Sequence, residues 1–102
     1  MTFRRKYRYA GFRVLSPNHL GEKEVRDVIQ RSIVELLGAH GLSRIEPRII
    51  EYDAERSGGI IRCKHLYLPL LRASLASITT LGEKPAAFLV LKVSGSLRAL
   101  RS

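Results

Sequence analysis

The strongest structural signal in this sequence is a helical repeat of apolar residues between Glu22 and His40. Apolar side chains recur there at intervals of three and four residues, a spacing that places them on one face of an α-helix of about five turns. The stripe consists of Val25, Val28, Ile29, Ile33, Leu36 and Leu37, with Ser32 and His40 among them, and Gly38 and Gly41 are available to end the helix. A helix with one apolar face must pack against another layer, which the rest of the chain has to supply.

Four shorter segments have the patterns of strands. Residues 7–15 alternate with period two, which predicts a half-buried strand with Ala10, Phe12 and Val14 facing a core. Further strands are predicted at residues 48–52, 60–66 and 86–93, where apolar and β-branched side chains are concentrated.

A second helix is predicted after Pro69, because proline suits the first turn of a helix. Its core stripe is Leu71, Leu75 and Ile78, widened by Leu70, Ala73 and Ala76, and Gly82 and Pro85 end it.

The order of these elements is β-α-β-β-α-β, so the predicted fold class is α+β, a ferredoxin-like sandwich. Right-handed crossovers place both helices on one face of a four-stranded antiparallel sheet, with the first and third strands in the middle. The other face of the sheet, called the outer face below, is left open. A short C-terminal tail from Leu97 onwards adds a helical turn.

The 102 residues are enough for one domain, and we expect residues 1–102 to form a single domain with a flexible basic N-terminus at 1–6. The chain has no apolar run of the roughly 18 residues that a membrane span needs, and a cytoplasmic location is expected. Cys63 is the one cysteine. Cys63 and His65 are too few ligands for a structural zinc site, so no metal is expected on the protein.

The distribution of charge favours a polyanionic partner. The formal net charge is +9. Residues 1–21 carry +5 and residues 56–102 carry +7, whereas residues 22–55 carry −3. If the fold brings the two basic ends together, one surface becomes a concentrated positive field suited to nucleic acid.

The outer face is the candidate site for that partner. Strand alternation predicts that Tyr7, Tyr9, Arg13, Arg62, Lys64 and Lys92 lie on it, together with Phe88 and Val90 if Leu89, Leu91 and Val93 face inward. Cations can pair with phosphates there while rings stack on bases. The predicted third strand has no aromatic residue, unlike an RNA-recognition motif, so phosphate contact with a folded RNA is favoured over stacking. Phe88 and Val90 would then need a cover, either the tail at Leu97 and Leu100 or a protein partner.

Four segments in this order resemble the ribonuclease P protein component 2 family of archaea, which has relatives in the eukaryotic enzyme. They are RYAGFRV at residues 8–14, GIIRC at 59–63, LRASL at 71–75 and VSGSL at 93–97. Together they span nearly the whole chain. The family often has threonine where this chain has Ser96, a change that keeps the hydroxyl group.

The resemblance implies a non-catalytic subunit of the ribonuclease P endoribonuclease, in which the RNA cleaves precursor tRNA at its 5′ end with its own Mg²⁺. It also implies pairing with the larger component 3 protein, as a heterotetramer. The contacts it implies are Arg13, Arg62, Arg72 and the turn of Ser94, Gly95 and Ser96. With the basic side chains and the tyrosine of the charged face, the predicted RNA-binding residues are Arg8, Tyr9, Arg13, Arg62, Lys64, Arg72, Lys92, Ser94, Gly95, Ser96 and Arg98.

Three alternatives stay open at this point. An acylphosphatase has a similar topology, but the loop at residues 16–21 lacks the arginine that would grip a phosphate. Another basic RNA-binding or ribosomal-type protein of ferredoxin-like shape would show the same charge pattern. A ligand-binding or protein-interaction module is a third class, against which the +7 charge of residues 56–102 weighs.

Overall fold

The computed structural model describes residues 6–101, so the predicted flexible N-terminus lies, apart from Lys6, outside the described residues. The elements are β1 (Tyr7–Leu15), α1 (Glu22–Ile45), β2 (Arg48–Asp53), β3 (Gly58–Lys64), a 3-10 turn (His65–Tyr67), α2 (Leu68–Ala76), β4 (Thr80–Leu81), β5 (Lys84–Pro85), β6 (Ala87–Ser94) and α3 (Leu97–Arg101). The chain forms one four-stranded antiparallel sheet in the order β2-β3-β1-β6, with the first and third strands in the middle as predicted. The predicted α+β, ferredoxin-like class is confirmed.

The core lies between the sheet and the helices α1 and α2. Ala10, Phe12 and Val14 of β1 are buried on that side, as the period-two pattern predicts. Three rings form a row across the sheet, because Phe12 stacks on Tyr52 of β2 at 6.2 Å and on Phe88 of β6 at 6.3 Å between ring centroids. The helices complete the core with Val25, Ile29, Ile33, Ile45, Leu71 and Leu75.

Helix α1 is longer than predicted. At its start the Gly21 N–H donates a hydrogen bond to the Glu24 carboxylate at 3.1 Å. Gly38 breaks the helical geometry at φ +77°, where glycine is favoured, but the chain resumes the helix and continues to the buried Ile45. Leu36 and His40, assigned to the apolar stripe, are exposed. The predicted end near His40 is therefore wrong, because burial of Ile45 holds a further helical segment against the core.

Strand β6 contains a bulge that the periodicity does not reveal. Gly11 pairs with Lys92 and Phe12 pairs with Val90, so Leu91 is an extra residue in the ladder. The bulge reverses the alternation along the strand. Lys92 and Val93 face the predicted ways, but Phe88 is buried in the core whereas Leu89 and Leu91 are 42% and 59% exposed. The predicted orientation of residues 88–91 is therefore wrong.

Helix α2 ends at Ala76, earlier than predicted. Leu71, Leu75 and Ile78 are buried as expected, whereas Ala73, Ala76 and the 40%-exposed Leu70 do not widen the stripe. The predicted terminators Gly82 and Pro85 instead belong to a small hairpin of β4 and β5, with Gly82 at φ +67°.

Serines join the two long helices. Ser74 of α2 is fully buried, and its carbonyl oxygen accepts hydrogen bonds from the hydroxyls of Ser32 at 2.8 Å and Ser77 at 2.7 Å. Small side chains at this contact leave room for the polar bridge. No helix within the described residues is long and apolar enough to cross a membrane.

Candidate nucleic-acid interface

The outer face of the sheet carries cations and tyrosines from its two central strands. In the pairing of β1 with β3, Tyr7 lies opposite Lys64 and Tyr9 lies opposite Arg62. These residues alternate with the buried Ala10, Ile61 and Cys63, so their side chains leave the sheet on the side away from α1 and α2. The predicted placement of Tyr7, Tyr9, Arg62 and Lys64 is confirmed by this register.

Helix α3 crosses the outer face, so this face is not left open as predicted. Leu100 borders a concavity together with Gly11 and Ile60 of the two central strands. Lys92 Nζ donates to the Ala99 carbonyl oxygen at 3.3 Å, and Arg101 Nε lies 3.0 Å from Glu51 Oε1 on β2. The tail thus covers Ile60, which is 9% exposed, instead of Phe88 and Val90. The face is divided into two surfaces.

The first surface, called the Tyr7 surface, consists of Lys6, Tyr7, Tyr9, Arg62 and Lys64. The Arg62 guanidinium carbon lies 4.1 Å from the centroid of the Tyr7 ring, a cation–π contact. Arg62 Nε is buried and has no hydrogen-bond partner among residues 6–101. Lys64 Nζ forms an ion pair of 3.2 Å with Glu46. Lys6 and the two tyrosines also line a concavity of about 370 Å³ that reaches the turn after β6.

The second surface, called the Arg13 surface, surrounds a concavity of about 470 Å³ on the far side of α3. Its cations are Arg13, Arg56 and Lys92, and its acids are Glu51 and Asp53. Arg56 lies 3.7 Å from Asp53, so part of the positive charge is neutralised within the protein. Arg13 is exposed and, within residues 6–101, forms no ion pair. This surface is therefore less positive than the alternation of the strands alone suggests.

Three predicted RNA-binding arginines lie away from both surfaces. Arg8 is paired with the buried Cys63, which puts it on the helix side of β1, and its Nη1 donates to the Tyr7 carbonyl oxygen at 3.4 Å. Arg72 is exposed on α2, in the layer behind the sheet. Arg98 is exposed on α3. The predicted set therefore does not form one continuous surface.

The predicted turn of Ser94, Gly95 and Ser96 positions α3. The Ser94 hydroxyl oxygen accepts a hydrogen bond from Ser96 N–H at 3.0 Å. The Ser96 hydroxyl oxygen accepts one from Ala99 N–H at 3.4 Å, the position of an N-cap. Both hydroxyls are thus used to direct the tail back across the sheet. Gly95 and Ser96 also border the concavity beside Tyr7 and Tyr9.

Sequence reasoning missed two arginines that the fold adds to the outer face. Arg48 lies directly opposite Arg62 in the pairing of β2 with β3. Arg56, in the turn between those strands, borders the Arg13 surface. The register of β2 against β3 would have identified Arg48, but a bulge between Ile49 and Glu51 makes that register hard to deduce from the pattern.

Catalytic chemistry could come from a metal site or from the cysteine. Within residues 6–101 no group of three or more His, Cys, Asp or Glu side chains is arranged to hold a metal ion. Cys63 is fully buried, and burial raises the pKa of its thiol from 9.0 to about 11, with Arg8 opposing this shift in part. A thiol of this kind stays protonated near neutral pH, so it is not an activated nucleophile. What the arrangement can do is bind an anion.

Fold and site together define a class: basic α+β sandwiches whose sheet presents arginine, lysine and tyrosine to a polyanion. Within that class the family can be stated. The chain belongs to the Rpp14/Pop5 family, whose model matches residues 8–102. The resemblance to the family seen in the four sequence segments is thereby confirmed.

Several curated relatives align over nearly the whole chain. Ribonuclease P protein component 2 of Pyrococcus horikoshii is 32% identical over 98% of this chain and 83% of the relative. The protein of the same name from Methanocaldococcus jannaschii is 36% identical over 95% of this chain and 71% of the relative. A chain of the cryo-EM structure of yeast ribonuclease MRP shares the fold, with a TM-score of 0.80 and 18% identity over 96% of this chain and 80% of that one.

Proposed function

We propose that this chain is a protein subunit of ribonuclease P, which binds the catalytic RNA and supports 5′-end maturation of precursor tRNA. The observation that carries the proposal is the alignment of relatives named ribonuclease P protein component 2 with 95–98% of this chain. The outer face supports it independently, because its two surfaces present arginine and lysine side chains that can pair with phosphates.

The RNA would perform the hydrolysis with Mg²⁺ that it holds itself, and the protein would lower the repulsion between its phosphates. Of the predicted contacts, Tyr9, Arg62 and Lys64 belong to the Tyr7 surface, and Arg13 and Lys92 belong to the Arg13 surface. Arg8 and Arg72 would reach RNA only where it wraps past the edge of the sheet, whereas Arg98 is on α3, between the two surfaces. Ser94, Gly95 and Ser96 would act mainly by holding α3 between the two surfaces.

A protein partner is also part of the proposal. Leu89 and Leu91 are exposed on β6, an edge strand whose outer hydrogen-bonding side is unpaired in the main sheet. Exposed leucines along a strand edge are suited to contact with another protein. We infer that this partner is the ribonuclease P component 3 protein, in a heterotetramer, and that the complex works in the cytoplasm.

The proposal is tested by capturing the tagged chain from its own cells and sequencing the RNA that remains bound. Ribonuclease P RNA, precursor tRNA and the component 3 protein should be enriched over a matched capture with an unrelated basic protein of similar size. Enrichment of ribosomal RNA alone would instead identify another basic RNA-binding protein. Capture of proteins without RNA, at low salt, would identify a protein-interaction module.

A further inference from the structure

Two arginines face each other across the edge of the sheet. Arg48 of β2 and Arg62 of β3 are directly paired residues of neighbouring antiparallel strands. Such pairs send their side chains to the same face, with Cβ atoms about 4.5–5.5 Å apart. Because Arg62 lies on the outer face, the side chain of Arg48 also leaves the sheet on that face, beside Arg62. Like charges in this relation destabilise a sheet.

Two acids close to Arg48 in the sequence are already paired with other cations. Glu46, two residues before Arg48, is paired with Lys64 at 3.2 Å, and Glu51 is paired with Arg101 at 3.0 Å. Within residues 6–101 neither Arg48 nor Arg62 forms an ion pair with a carboxylate. The two cationic side chains therefore leave the sheet from neighbouring positions, and neither is neutralised by a carboxylate of the described part of the protein.

Tyr7 fixes the position of one of the two guanidinium groups. Its ring lies 4.1 Å from the guanidinium carbon of Arg62, and the buried Arg62 Nε has no hydrogen-bond partner in the described part of the chain. Stacking covers one face of the guanidinium plane and leaves the donors at its edge for a ligand. Arg48 is exposed and also borders a small crevice under α1 with Arg26 and Gln30, so it lies at the rim of the sheet.

We propose that Arg48 and Arg62 together bind one phosphate group of the RNA backbone, with Tyr7 as a positioning residue for Arg62. This inference rests on the proposed function and names where on the outer face the RNA is held. Guanidinium groups present donors in a fork that matches the oxygens of a phosphate, and two forks can share one tetrahedral anion. Lys6 and Lys64 extend the positive field beside the pair, which favours a polyanion over a single protein carboxylate.

A double-mutant cycle tests whether the two arginines act on one phosphate. The affinity of the full chain for ribonuclease P RNA is measured over a salt series for Arg48→Ala, Arg62→Ala and the double variant. Each single variant should bind about tenfold more weakly, as expected for loss of a charge-assisted contact. The double variant should bind RNA about as weakly as the weaker-binding single variant. The steepness of its log–log plot of affinity against salt concentration should fall by about 0.7–0.9, the contribution of one phosphate.

Substitutions of Tyr7 test its positioning role. Tyr7→Phe keeps the ring and should bind RNA as the unmodified chain does. Tyr7→Leu removes the stacking surface and should weaken binding several-fold in the presence of Arg62, with little further effect in the Arg62→Ala background. Arg31→Ala, at an exposed arginine of α1, is the matched control and should leave affinity unchanged. Arg48→Ala should melt at the same or a higher temperature, because it removes a like-charge contact.

The outcomes separate this inference from the proposed function. The contrary result is a double variant that binds about a hundredfold more weakly, with a salt slope reduced by the contribution of about two phosphates. This result would show two independent contacts and overturn the shared site. Unchanged RNA affinity in every variant, with or without loss of a protein partner, would also overturn it while leaving the proposed function in place. An unmodified chain that does not bind ribonuclease P RNA would overturn the proposed function itself.

Discussion

Single residues on the outer face are arranged to hold cations in place. Arg62 stacks on Tyr7, Lys64 forms an ion pair with Glu46, and Lys92 donates a hydrogen bond to the carbonyl oxygen of Ala99. Long cationic side chains lose considerable rotamer freedom when they bind a phosphate, so fixing them beforehand reduces that loss. In the proposed complex with RNA, these cations would therefore be partly positioned before the RNA binds.

The buried thiol of Cys63 leads to a prediction about how the stability of the fold depends on pH. Burial raises the pKa of its thiol in the folded chain to about 11, from 9.0 when the thiol is exposed. Because the unfolded chain loses this proton first, the stability that the buried thiol contributes is complete below pH 9 and is lost as the pH rises towards 11. The free energy of unfolding should fall across that window, measured by urea titration under reducing conditions.

The matched control for this prediction is Cys63→Ala. This variant is less stable at neutral pH because it leaves a small cavity, but its stability should depend less on pH between 9 and 11 than that of the unmodified chain. Identical pH profiles for the two chains would show that other groups cause the loss of stability.

At the residue scale, the sequence predicted which side of a regular strand each side chain occupies. Tyr9 and Arg62 lie where alternation places them because β1 and β3 are paired without interruption on that stretch. Arg8 was assigned to RNA by its charge, although alternation already places it on the helix side, opposite Cys63. Arg48 was missed because its partner depends on register across two strands, which no local pattern contains.

Among the elements, β3 requires glycine at a close backbone approach. A Cβ atom on Gly59 would meet the carbonyl oxygen of Glu51 and the Cα of Tyr52, both on β2. Backbone atoms of a paired strand cannot move aside without breaking the ladder. Gly59→Ala should therefore destabilise the fold by about 2 kcal/mol or more, measured as the change in free energy of unfolding.

Gly11 of β1 is the matched control for this substitution. The nearest atom to a Cβ on Gly11 is the Lys92 carbonyl oxygen at 3.8 Å, an ordinary contact distance. Gly11→Ala should therefore change stability by less than about 1 kcal/mol, and a loss of flexibility in the unfolded chain favours the alanine. Equal destabilisation by the two substitutions would contradict the close approach of β2 to β3 at Gly59.

The elements themselves were largely predictable, but their irregularities were not. The two long helices and four sheet strands follow from apolar periodicity, which depends on burial against one layer. The bulge at Leu91 depends on tertiary contacts with Gly11 and Phe12 of β1. The break at Gly38 follows the sequence, which has a glycine available to end the helix there, but the further helical segment up to the buried Ile45 does not. The hairpin of β4 and β5 consists of two-residue strands, too short for any periodicity.

Over the whole molecule, strands from the two basic parts of the chain lie next to each other in the sheet, and although Arg8 lies on the helix side, both parts supply cations to the outer face. The N-terminal end supplies β1 and the C-terminal part supplies β3, β6 and α3. The division of this side by α3 was not predictable, because a five-residue helix is held there by tertiary contacts of Leu100 and Arg101. As a result, α3 separates two basic surfaces, the Tyr7 surface and the Arg13 surface.

The charged outer face predicts a steep dependence of RNA affinity on salt. If about five of its cations neutralise phosphates, the log–log slope of affinity against salt concentration should be near −3.5 to −4.5. The measurement is a filter-binding or fluorescence titration at several salt concentrations. A slope shallower than about −1 would show that the outer face is not the RNA site.

We propose that the chain does not cut RNA itself but helps a catalytic RNA to do so by neutralising its phosphates. The most direct measurement is cleavage of precursor tRNA by ribonuclease P RNA and its partner protein, with and without this chain, across a series of Mg²⁺ concentrations. The chain should stimulate cleavage most at low Mg²⁺ and progressively less as Mg²⁺ rises, because the ion and the protein's arginines neutralise the same charge. No stimulation at any Mg²⁺ concentration, or stimulation that grows with Mg²⁺, would show that the chain does not help the RNA by neutralising its phosphates.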